Sequence, residues 1–266
     1  MKKVLILMTV FCLICLLMLA GCGDEEGENI DDGQAVQSWI TSVDYPDEYI
    51  EEEWDDGLVV SCIAYGNSQW TVVMSRGMSY TAQVTATRSE FPKDYIESKW
   101  KEGYYITSIA HSGFQFLKDW ALVMSRGTGY TDQTWAVRDD FPKDYIDIKW
   151  QEGYDITSLV HGDGGWAVIM SKGTGYEDQT WATRDFFPED YIENKWNEGY
   201  DITELTYGGI LGQWAVVMSK NTEYNAQVWG TRNFFPEDYI EEKWDEGYDI
   251  TCLAHGQGQW AVVMSK

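Results

Sequence analysis

The stretch Phe187-Pro188-Glu189-Asp190-Tyr191-Ile192, followed by Trp196 and then by Trp214-Ala215-Val216-Val217-Met218-Ser219-Lys220, decides the fold of this chain. Close variants of it recur along the sequence, with prolines separated by 46, 50, 46 and 48 residues. These prolines are Pro46, Pro92, Pro142, Pro188 and Pro236. Such a period predicts five copies of one structural unit, because a single copy cannot bury its own aromatic face whereas neighbouring copies can.

Each copy predicts one short helix and three strands. Proline suits the first turn of a helix, and the acidic residues that follow it favour the positive end of the helix dipole. Gly199 then stands where a helix of about ten residues should stop. Three short, β-rich segments separated by Gly or Asn turns follow, and each predicts a strand. In this copy they are Ile202–Tyr207, Trp214–Ser219 and Gln227–Arg232.

The two ends of the chain predict how the array of copies finishes. The chain stops with Trp260–Lys266, which is the second strand of the fifth copy, and Gln37–Thr41 matches the third strand that this copy lacks. A ring explains both ends, because the first strand would complete the last sheet and remove its exposed edge. We therefore expect a mainly β, five-bladed propeller-like ring of repeats of about 48 residues, closed by the N-terminal strand. An open, β-rich solenoid is the alternative.

The N-terminal residues predict a lipoprotein signal peptide over residues 1–21. A short basic start precedes an apolar run from Val4 to Ala20, as in secretory signals. A membrane-spanning helix is the alternative, but Leu19-Ala20-Gly21-Cys22 resembles the bacterial lipobox, so we expect lipidation at Cys22. Residues 22–34 are acidic and poor in apolar groups, which predicts a flexible tether. Residues 35–266 would then be the repeat domain.

The charge of the chain excludes some partners. Removing Lys2 and Lys3 with the signal leaves 17 basic against 44 acidic residues, a net charge of −27. Such a surface repels phosphate, so we expect no nucleic-acid binding. The predicted location is extracytoplasmic, with the protein held at the bacterial cell surface by its lipidated cysteine.

The repeated phrases resemble a known family. Phe-Pro-x-Asp-Tyr-Ile, Trp-x-Glu-Gly-Tyr-Asp-Ile-Thr and Trp-Ala-Val-Val-Met-Ser-Lys together are similar to a tryptophan-rich repeat domain of unknown function. That domain follows the kinase domain in plant casein-kinase-like kinases and also occurs in bacterial lipoproteins. The resemblance covers residues 37–266 and implies a repeat fold, but it supplies no substrate, cofactor or catalytic residue. The chain has no kinase motifs, so kinase activity is not implied.

The residues that could carry chemistry recur in equivalent places, which favours structural roles. Repeated tryptophans are what core packing requires, and repeated acids do not supply the unequal carboxyl pair of a glycosidase. The three histidines share one repeat position with two tyrosines, which favours packing over a metal site. They are His111, His161 and His255. We expect no catalytic residue, metal or cofactor.

Two cysteines, Cys62 and Cys252, remain in the predicted repeat domain. They occupy the same position in the first and fifth copies, which ring closure would make neighbours. An extracytoplasmic compartment permits oxidation, so a disulfide between them is possible if their Cα atoms lie close enough.

Function should lie where the copies differ, and the loop between the first and second strands varies most. The candidate partner-binding residues in these loops are Phe114, Phe116, Leu117, Ile210 and Leu211. Exposed apolar groups there would mark a contact site, unless they fold back to fill a gap. We expect a non-catalytic binding module that recognises a protein or glycan. The alternatives are a carbohydrate-active propeller enzyme and a structural envelope protein.

Overall fold

The computed structural model describes residues 24–31, 34–113, 119–209 and 211–266. Over these ranges the protein is mainly β, with five antiparallel sheets and a short helix against the inner strand of each. The predicted signal sequence and the lipidation site Cys22 lie outside the described residues. Within the described ranges, no helix has the length and apolar character needed to cross a bilayer.

The first sheet has four strands and each of the others has three. From edge to edge, the first sheet consists of β1 (Glu25–Asp31), β2 (Gln34–Ser42), β4 (Gln69–Ser75) and β3 (Val59–Gly66). The second has β5 (Ala82–Arg88), β7 (Trp120–Arg126) and β6 (Tyr105–His111), and the third has β8 (Asp132–Arg138), β10 (Gly165–Lys172) and β9 (Asp155–Gly162). The fourth has β11 (Gln179–Arg184), β13 (Gln213–Ser219) and β12 (Asp201–Gly208), and the fifth has β14 (Gln227–Arg232), β16 (Gln259–Ser265) and β15 (Asp249–Gly256). We call the strand given last for each sheet its inner strand. The strands that carry the repeated glutamine are called the glutamine strands, and they are β2, β5, β8, β11 and β14.

The predicted helices are confirmed, with nine residues each. They are α1 (Asp47–Asp55), α2 (Lys93–Lys101), α3 (Lys143–Gln151), α4 (Glu189–Asn197) and α5 (Glu237–Asp245). Pro188 stands directly before α4, where its missing N–H removes no helical hydrogen bond. At the other end, Gly199 takes a φ of +84° and its N–H donates to the carbonyl of Trp196, while Tyr200 N–H donates to the carbonyl of Lys195. This Schellman arrangement ends the helix at the predicted glycine.

The order of strands within a unit differs from the prediction. In every sheet the chain runs through the glutamine strand, the helix, the inner strand and then the middle strand. Only four residues, 185–188, separate β11 from α4, so this connection stays within one sheet. The connection from β10 to β11, residues 173–178, carries the chain to the next sheet instead. The repeated segments were therefore predicted, but the glutamine strand belongs to the same sheet as the helix that follows it, not the helix that precedes it.

As a consequence, the predicted closure by strand completion is wrong. The N-terminal strand β2 pairs with β4 of its own sheet, with Gln37 opposite Ser75 and Ser42 opposite Trp70. The last strand, β16, already lies between β14 and β15. The fifth sheet therefore lacks no strand for β2 to supply.

The inner strands bring the first and last sheets together. Strand β3 contacts β6, β6 contacts β9, β9 contacts β12, β12 contacts β15, and β15 contacts β3. The contact between the fifth and first sheets is thus of the same kind as the four contacts between sheets that are consecutive in the chain.

A buried or half-buried glutamine joins each pair of neighbouring sheets. Gln133, on β8, accepts hydrogen bonds at Oε1 from Trp100 Nε1 (3.1 Å) and from the backbone N–H of Ile106 (2.7 Å) in the second sheet. Its Nε2 donates to the carbonyl of Ile106 and to Ser171 Oγ, both at 2.9 Å. One side chain therefore satisfies two backbone groups on the free edge of an inner strand and an indole N–H. We call this arrangement a glutamine clamp.

The first sheet is clamped to the fifth in the same way. Gln37 Oε1 accepts from Trp244 Nε1 (3.0 Å) and Ile250 N–H (2.7 Å), and Nε2 donates to the Ile250 carbonyl (3.1 Å) and to Ser75 Oγ (2.9 Å). The Trp39 ring also packs against Phe235 of the fifth sheet, with centroids 4.5 Å apart. The N-terminal strand thus contacts the last sheet face to face, through side chains, rather than by strand pairing.

The predicted flexible tether is wrong for residues 25–31. These residues form β1, which pairs with β2 from Glu25 opposite Thr41 to Asp31 opposite Gln34. An added Cβ at Gly27 would lie 2.7 Å from Trp39 Nε1, so the glycine lets the strand pass closely over this indole. An edge strand needs only backbone pairing on one side, so acidic side chains that face solvent do not prevent it from forming.

Candidate binding face and axial cavity

The variable loops lie at the equivalent strand ends of the five sheets. In the fourth sheet, Arg184 at the end of β11 pairs with Trp214 at the start of β13. The loop before α4 and the loop between β12 and β13 are therefore neighbours. The same register recurs in every sheet, as Ser42–Trp70, Arg88–Trp120, Arg138–Trp166 and Arg232–Trp260. We call the surface formed by these two sets of loops the loop face.

Of the five predicted partner-binding residues, Leu211 is described, and it is 90% exposed. Its backbone lies in a tight turn, in which Gly212 N–H donates to the carbonyl of Gly209. The other four, Phe114, Phe116, Leu117 and Ile210, lie outside the described residues. The fold-back alternative therefore does not hold for Leu211, whose side chain is open to solvent.

Two further exposed apolar side chains lie on the loop face, and they were not predicted from the sequence. Phe186 and Phe234 are 77% and 80% exposed, and they occupy equivalent positions in the fourth and fifth sheets. In the other three copies this position is acidic, with Asp44, Glu90 and Asp140. The signal in the sequence was a pair of phenylalanines before the repeated proline. Only the second phenylalanine is needed for packing, since the ring of Phe187 lies 5.3 Å from that of Trp214, centroid to centroid.

Hydrogen bonds hold the loop that carries Phe186 next to its neighbours. Gln213 Nε2 donates to Asp185 Oδ1 (3.3 Å), and Gln257 Nε2 donates to the carbonyl of Asp185 (2.6 Å). Gln213 follows the turn that carries Leu211, and Gln257 belongs to the corresponding loop of the fifth sheet. These bonds hold the loop that carries Phe186 against the loop that carries Leu211 and against the corresponding loop of the fifth sheet.

The exposed rings have acidic surroundings. A depression of about 410 Å³ beside Phe186 is lined by Arg184, Asp185, Glu189 and Asp190. The equivalent depression beside Phe234, of about 380 Å³, is lined by residues 232–239, which include two acids and one arginine. The loop face of the fourth and fifth sheets therefore combines apolar groups with a surplus of carboxylates.

The histidines do not form a metal centre. Each packs edge-on against the tryptophan of its own sheet, as His161 does with Trp166 at 5.2 Å between centroids. Each also lies against a glycine of the next sheet, so closely that an added Cβ at Gly208 would meet His161 Cβ at 2.0 Å. In the described ranges, no three His, Cys, Asp or Glu side chains meet closely enough to hold a metal ion. His111, His161 and His255, the weak metal candidates, thus lie on three different sheets, each packed between a tryptophan and a glycine.

The two tyrosines at this repeat position pack in the same way. Tyr65 contacts Trp70 and Tyr207 contacts Trp214, at centroid distances of 5.0 and 5.4 Å. Tyr207 also lies against Gly256 of the fifth sheet. Burial lowers the pKa of His161 and of His255, which keeps both imidazoles neutral at pH 7.

Cys62 and Cys252 are both free and buried, so the structure contains no disulfide between them. They do occupy neighbouring inner strands, as predicted. The Cys252 thiol donates to the carbonyl of Leu205 in the adjacent sheet (3.9 Å), so it joins strands through a hydrogen bond. Burial raises the pKa of Cys62 to about 12 and that of Cys252 well above its usual value, which keeps both in the unreactive thiol form.

Residues of all five inner strands line a cavity of about 80 Å³, which we call the axial cavity. The His and Tyr side chains of the shared repeat position line it, together with one carboxyl group. These residues are Tyr65, His111, His161, Tyr207, His255 and Glu204. Burial raises the pKa of Glu204 to about 8. Within the described ranges, no neighbouring carboxylate contributes to this rise.

Comparison with known sequences places the chain in a family. A family model described as a domain of unknown function, DUF7477, matches residues 42–207 and, in a second and overlapping match, residues 165–266. Together the matches cover the five sheets from the end of β2 onward. No curated protein matches the chain with significant similarity. The chain therefore belongs to the DUF7477 family of repeat domains, whose function is unknown.

Proposed function

We propose that this chain is a non-catalytic binding module, a five-bladed propeller-like ring that recognises a protein partner through its loop face. Five equivalent glutamine clamps support the ring, including the clamp of Gln37 between the first and fifth sheets. In the proposed ring each sheet is one blade, and closure depends on side-chain contacts rather than on a shared strand. A lipidated Cys22 would hold the module at the outer face of a bacterial membrane.

The observation that carries the binding function is the exposure of three large apolar side chains on one side of the loop face. Phe186, Phe234 and Leu211 expose most of their surface to water. Burying them on a partner would contribute roughly 1.5–3 kcal/mol each. Because the fold uses the second ring of each Phe-Phe pair and not the first, packing within the chain does not account for Phe186 and Phe234.

The acids beside these rings indicate the chemistry of the partner. Asp185, Glu189 and Asp190 surround Phe186, and the whole chain is strongly acidic. A partner surface with an apolar centre and a rim of Lys or Arg would match both features. A neutral glycan would use ring stacking alone, and its binding would be insensitive to salt.

The proposal is tested with a variant whose residues come from other copies of the repeat. Phe186→Glu and Phe234→Asp introduce the residue types found at Glu90 and Asp140, so the fold should tolerate them. We expect the double variant to lose at least about tenfold in affinity for its partner, because it loses two apolar contacts and adds two charges. The measurement is recovery of partners from envelope extract on the immobilised chain, at low and high salt, followed by titration of the recovered protein.

The matched control is Ile148→Asn. Ile148 is also exposed, but it lies on α3, and Asn194 occupies the equivalent position on α4. The proposal is supported if the native chain and this control retain a partner that the double variant does not retain. That partner must also be lost when the extract is treated with protease. Equal retention by all three chains contradicts it. Retention that survives protease and is lost after glycosidase treatment identifies a glycan instead.

A further inference from the structure

The fourth inner strand differs from the other four at two positions, and its residues at both positions line the axial cavity. Where the other strands carry Ser or Cys, β12 carries Glu204, and where they carry Ala or Val, it carries Thr206. The residues replaced are Cys62, Ser108, Ser158, Cys252 and Ala64, Ala110, Val160, Ala254. Glu204 and Thr206 are two residues apart on a strand, so both side chains leave it on the same side. One unit thus makes a nearly symmetric cavity polar on one side.

The equivalent position in the second sheet shows what packing alone needs. Ser108 Oγ accepts a hydrogen bond from Ile63 N–H on the neighbouring inner strand, at 3.0 Å. Glu204 occupies the same position, and its carboxyl accepts a hydrogen bond from Leu205 N–H (3.3 Å). The polar groups of Ser158 and of the Leu159 backbone oppose the rise of its pKa. A serine is sufficient for this contact, so the longer, ionisable side chain is not explained by the fold.

The lining of the axial cavity offers Glu204 no Lys or Arg as a partner. The lining contains neither Lys nor Arg, and the imidazoles of His161 and His255 are neutral at pH 7 because burial lowers their pKa. The Nε2 atoms of these two histidines are buried and have no hydrogen-bond partner within the described structure. The cavity therefore presents acceptors, namely a carboxyl, a threonine hydroxyl and the edges of the inner strands, and its lining contains no Lys or Arg.

We propose that the axial cavity binds a small primary ammonium ion, with Glu204 as its counter-ion. An ammonium group carries three N–H donors, which match a carboxylate, the Thr206 hydroxyl and backbone or imidazole acceptors. A water-sized group needs about 10–15 Å³ of such space, so a cavity of about 80 Å³ has room for roughly five such groups. This restricts the ligand to a cation with few non-hydrogen atoms. A bare divalent metal would need more ligands than this single carboxylate.

Binding should release a proton. Burial raises the pKa of Glu204 to about 8, so the empty cavity holds a neutral carboxyl at pH 7, and a bound cation would favour the carboxylate. The other titratable groups that interact with Glu204 stay neutral in this range. Burial raises the pKa of Cys62 to about 12 and also raises the pKa of Cys252, Tyr130 and Tyr176. Glu204 is therefore the group that titrates on binding.

The test is calorimetric titration of the full chain with methylammonium chloride at constant ionic strength. The apparent affinity should rise about tenfold per pH unit from pH 6 to pH 8 and level off above pH 8. It should fall again only near pH 10.4, where an alkylammonium loses its own proton. At pH 7, titrations in two buffers with different ionisation enthalpies should show release of about one proton per bound cation.

Two variants separate this site from general attraction by an acidic surface. Glu204→Ser introduces the residue of Ser108 and Ser158, and Glu204→Gln keeps the size of the side chain while removing its charge. Both should lose methylammonium binding and its pH dependence while unfolding cooperatively with heat. Binding that persists in either folded variant, binding without proton release, or equal binding of potassium chloride would overturn the proposal, as would absence of binding at every pH.

Discussion

Replacing Gln37 with Leu should lower the free energy of unfolding by about 3–5 kcal/mol. The change removes the acceptor for Trp244 Nε1 and both partners of the Ile250 backbone, all of which are buried. A buried polar group left without a partner costs about 1–3 kcal/mol. Leucine nearly matches the volume of glutamine, so the loss reports the hydrogen bonds rather than a new cavity. Urea unfolding followed by tryptophan fluorescence measures it.

The matched control is Gln133→Leu, which removes the same clamp between the second and third sheets. In a closed ring the two substitutions act on equivalent junctions, so their effects should agree within about 1 kcal/mol. If the first and fifth sheets were apart in solution, Gln37 would lie at a free end and face water. Its replacement would then cost under about 1 kcal/mol while Gln133→Leu kept its full effect, and that result contradicts closure.

The native chain should lose stability as the pH rises, and Glu204 should account for much of the loss. Its pKa is raised to about 8 in the folded protein, so the folded state holds this proton more tightly than the unfolded state, with a usual pKa near 4.5. The stabilisation is complete below pH 4.5, declines as the pH rises from there, and is lost once the pH has passed 8. Allowing for contact with water in the cavity, the expected loss between pH 5 and pH 9 is about 2–4 kcal/mol.

Comparison with Glu204→Ser isolates this effect. Burial also raises the pKa of Asp155 and Asp249, which adds to the loss in the same direction in both chains. Urea unfolding of both chains at pH 5 and pH 9 gives the difference directly. A pH dependence that is the same in the two chains would rule out a buried, uncompensated carboxyl at this position, whatever the cavity binds.

The repeat, the number of units and the limits of the helices were predictable from the sequence. The prolines and glycines act locally: Pro188 starts α4 and Gly199 ends it through its positive φ. The grouping of strands into sheets was not predictable in the same way. Residues 173–178 and 185–188 both read as short connections, and only the pairing of β11 with β13 shows which of them crosses between sheets.

The glutamine of the clamp was present in the sequence as the first residue of a predicted strand, as Gln227 is in Gln227–Arg232. The partners of Gln37 in the fifth sheet lie far along the chain, Trp244 being 207 positions away, so spacing gave no indication of them. Likewise β1 has the composition of a disordered segment, and its order comes from backbone pairing with β2. Composition does not report that interaction, because a β ladder can form with many kinds of side chain.

The candidate sites show a similar division. Leu211 was predicted because it stands in a variable loop, and its exposure agrees with that reasoning. Phe186 and Glu204 were not predicted, because each is a change at one position of a segment that otherwise repeats, shared by Phe186 and Phe234 in one case and confined to Glu204 in the other. Both changes are visible when the five copies are aligned. Phe186 is a ring that packing does not use, and Glu204 is a carboxyl where the equivalent residues are Ser or Cys.

Amide hydrogen exchange at Ile250 tests the closed ring most directly. This N–H lies on the free edge of β15 and donates to Gln37 Oε1 across the junction of the fifth and first sheets. The corresponding amide of Ile106 donates to Gln133 between sheets that are consecutive in the chain. We predict that NMR will find Ile250 protected to within about tenfold of Ile106. Exchange of Ile250 at the rate of an unprotected amide, with Ile106 protected, would contradict the ring and the continuous loop face that depends on it.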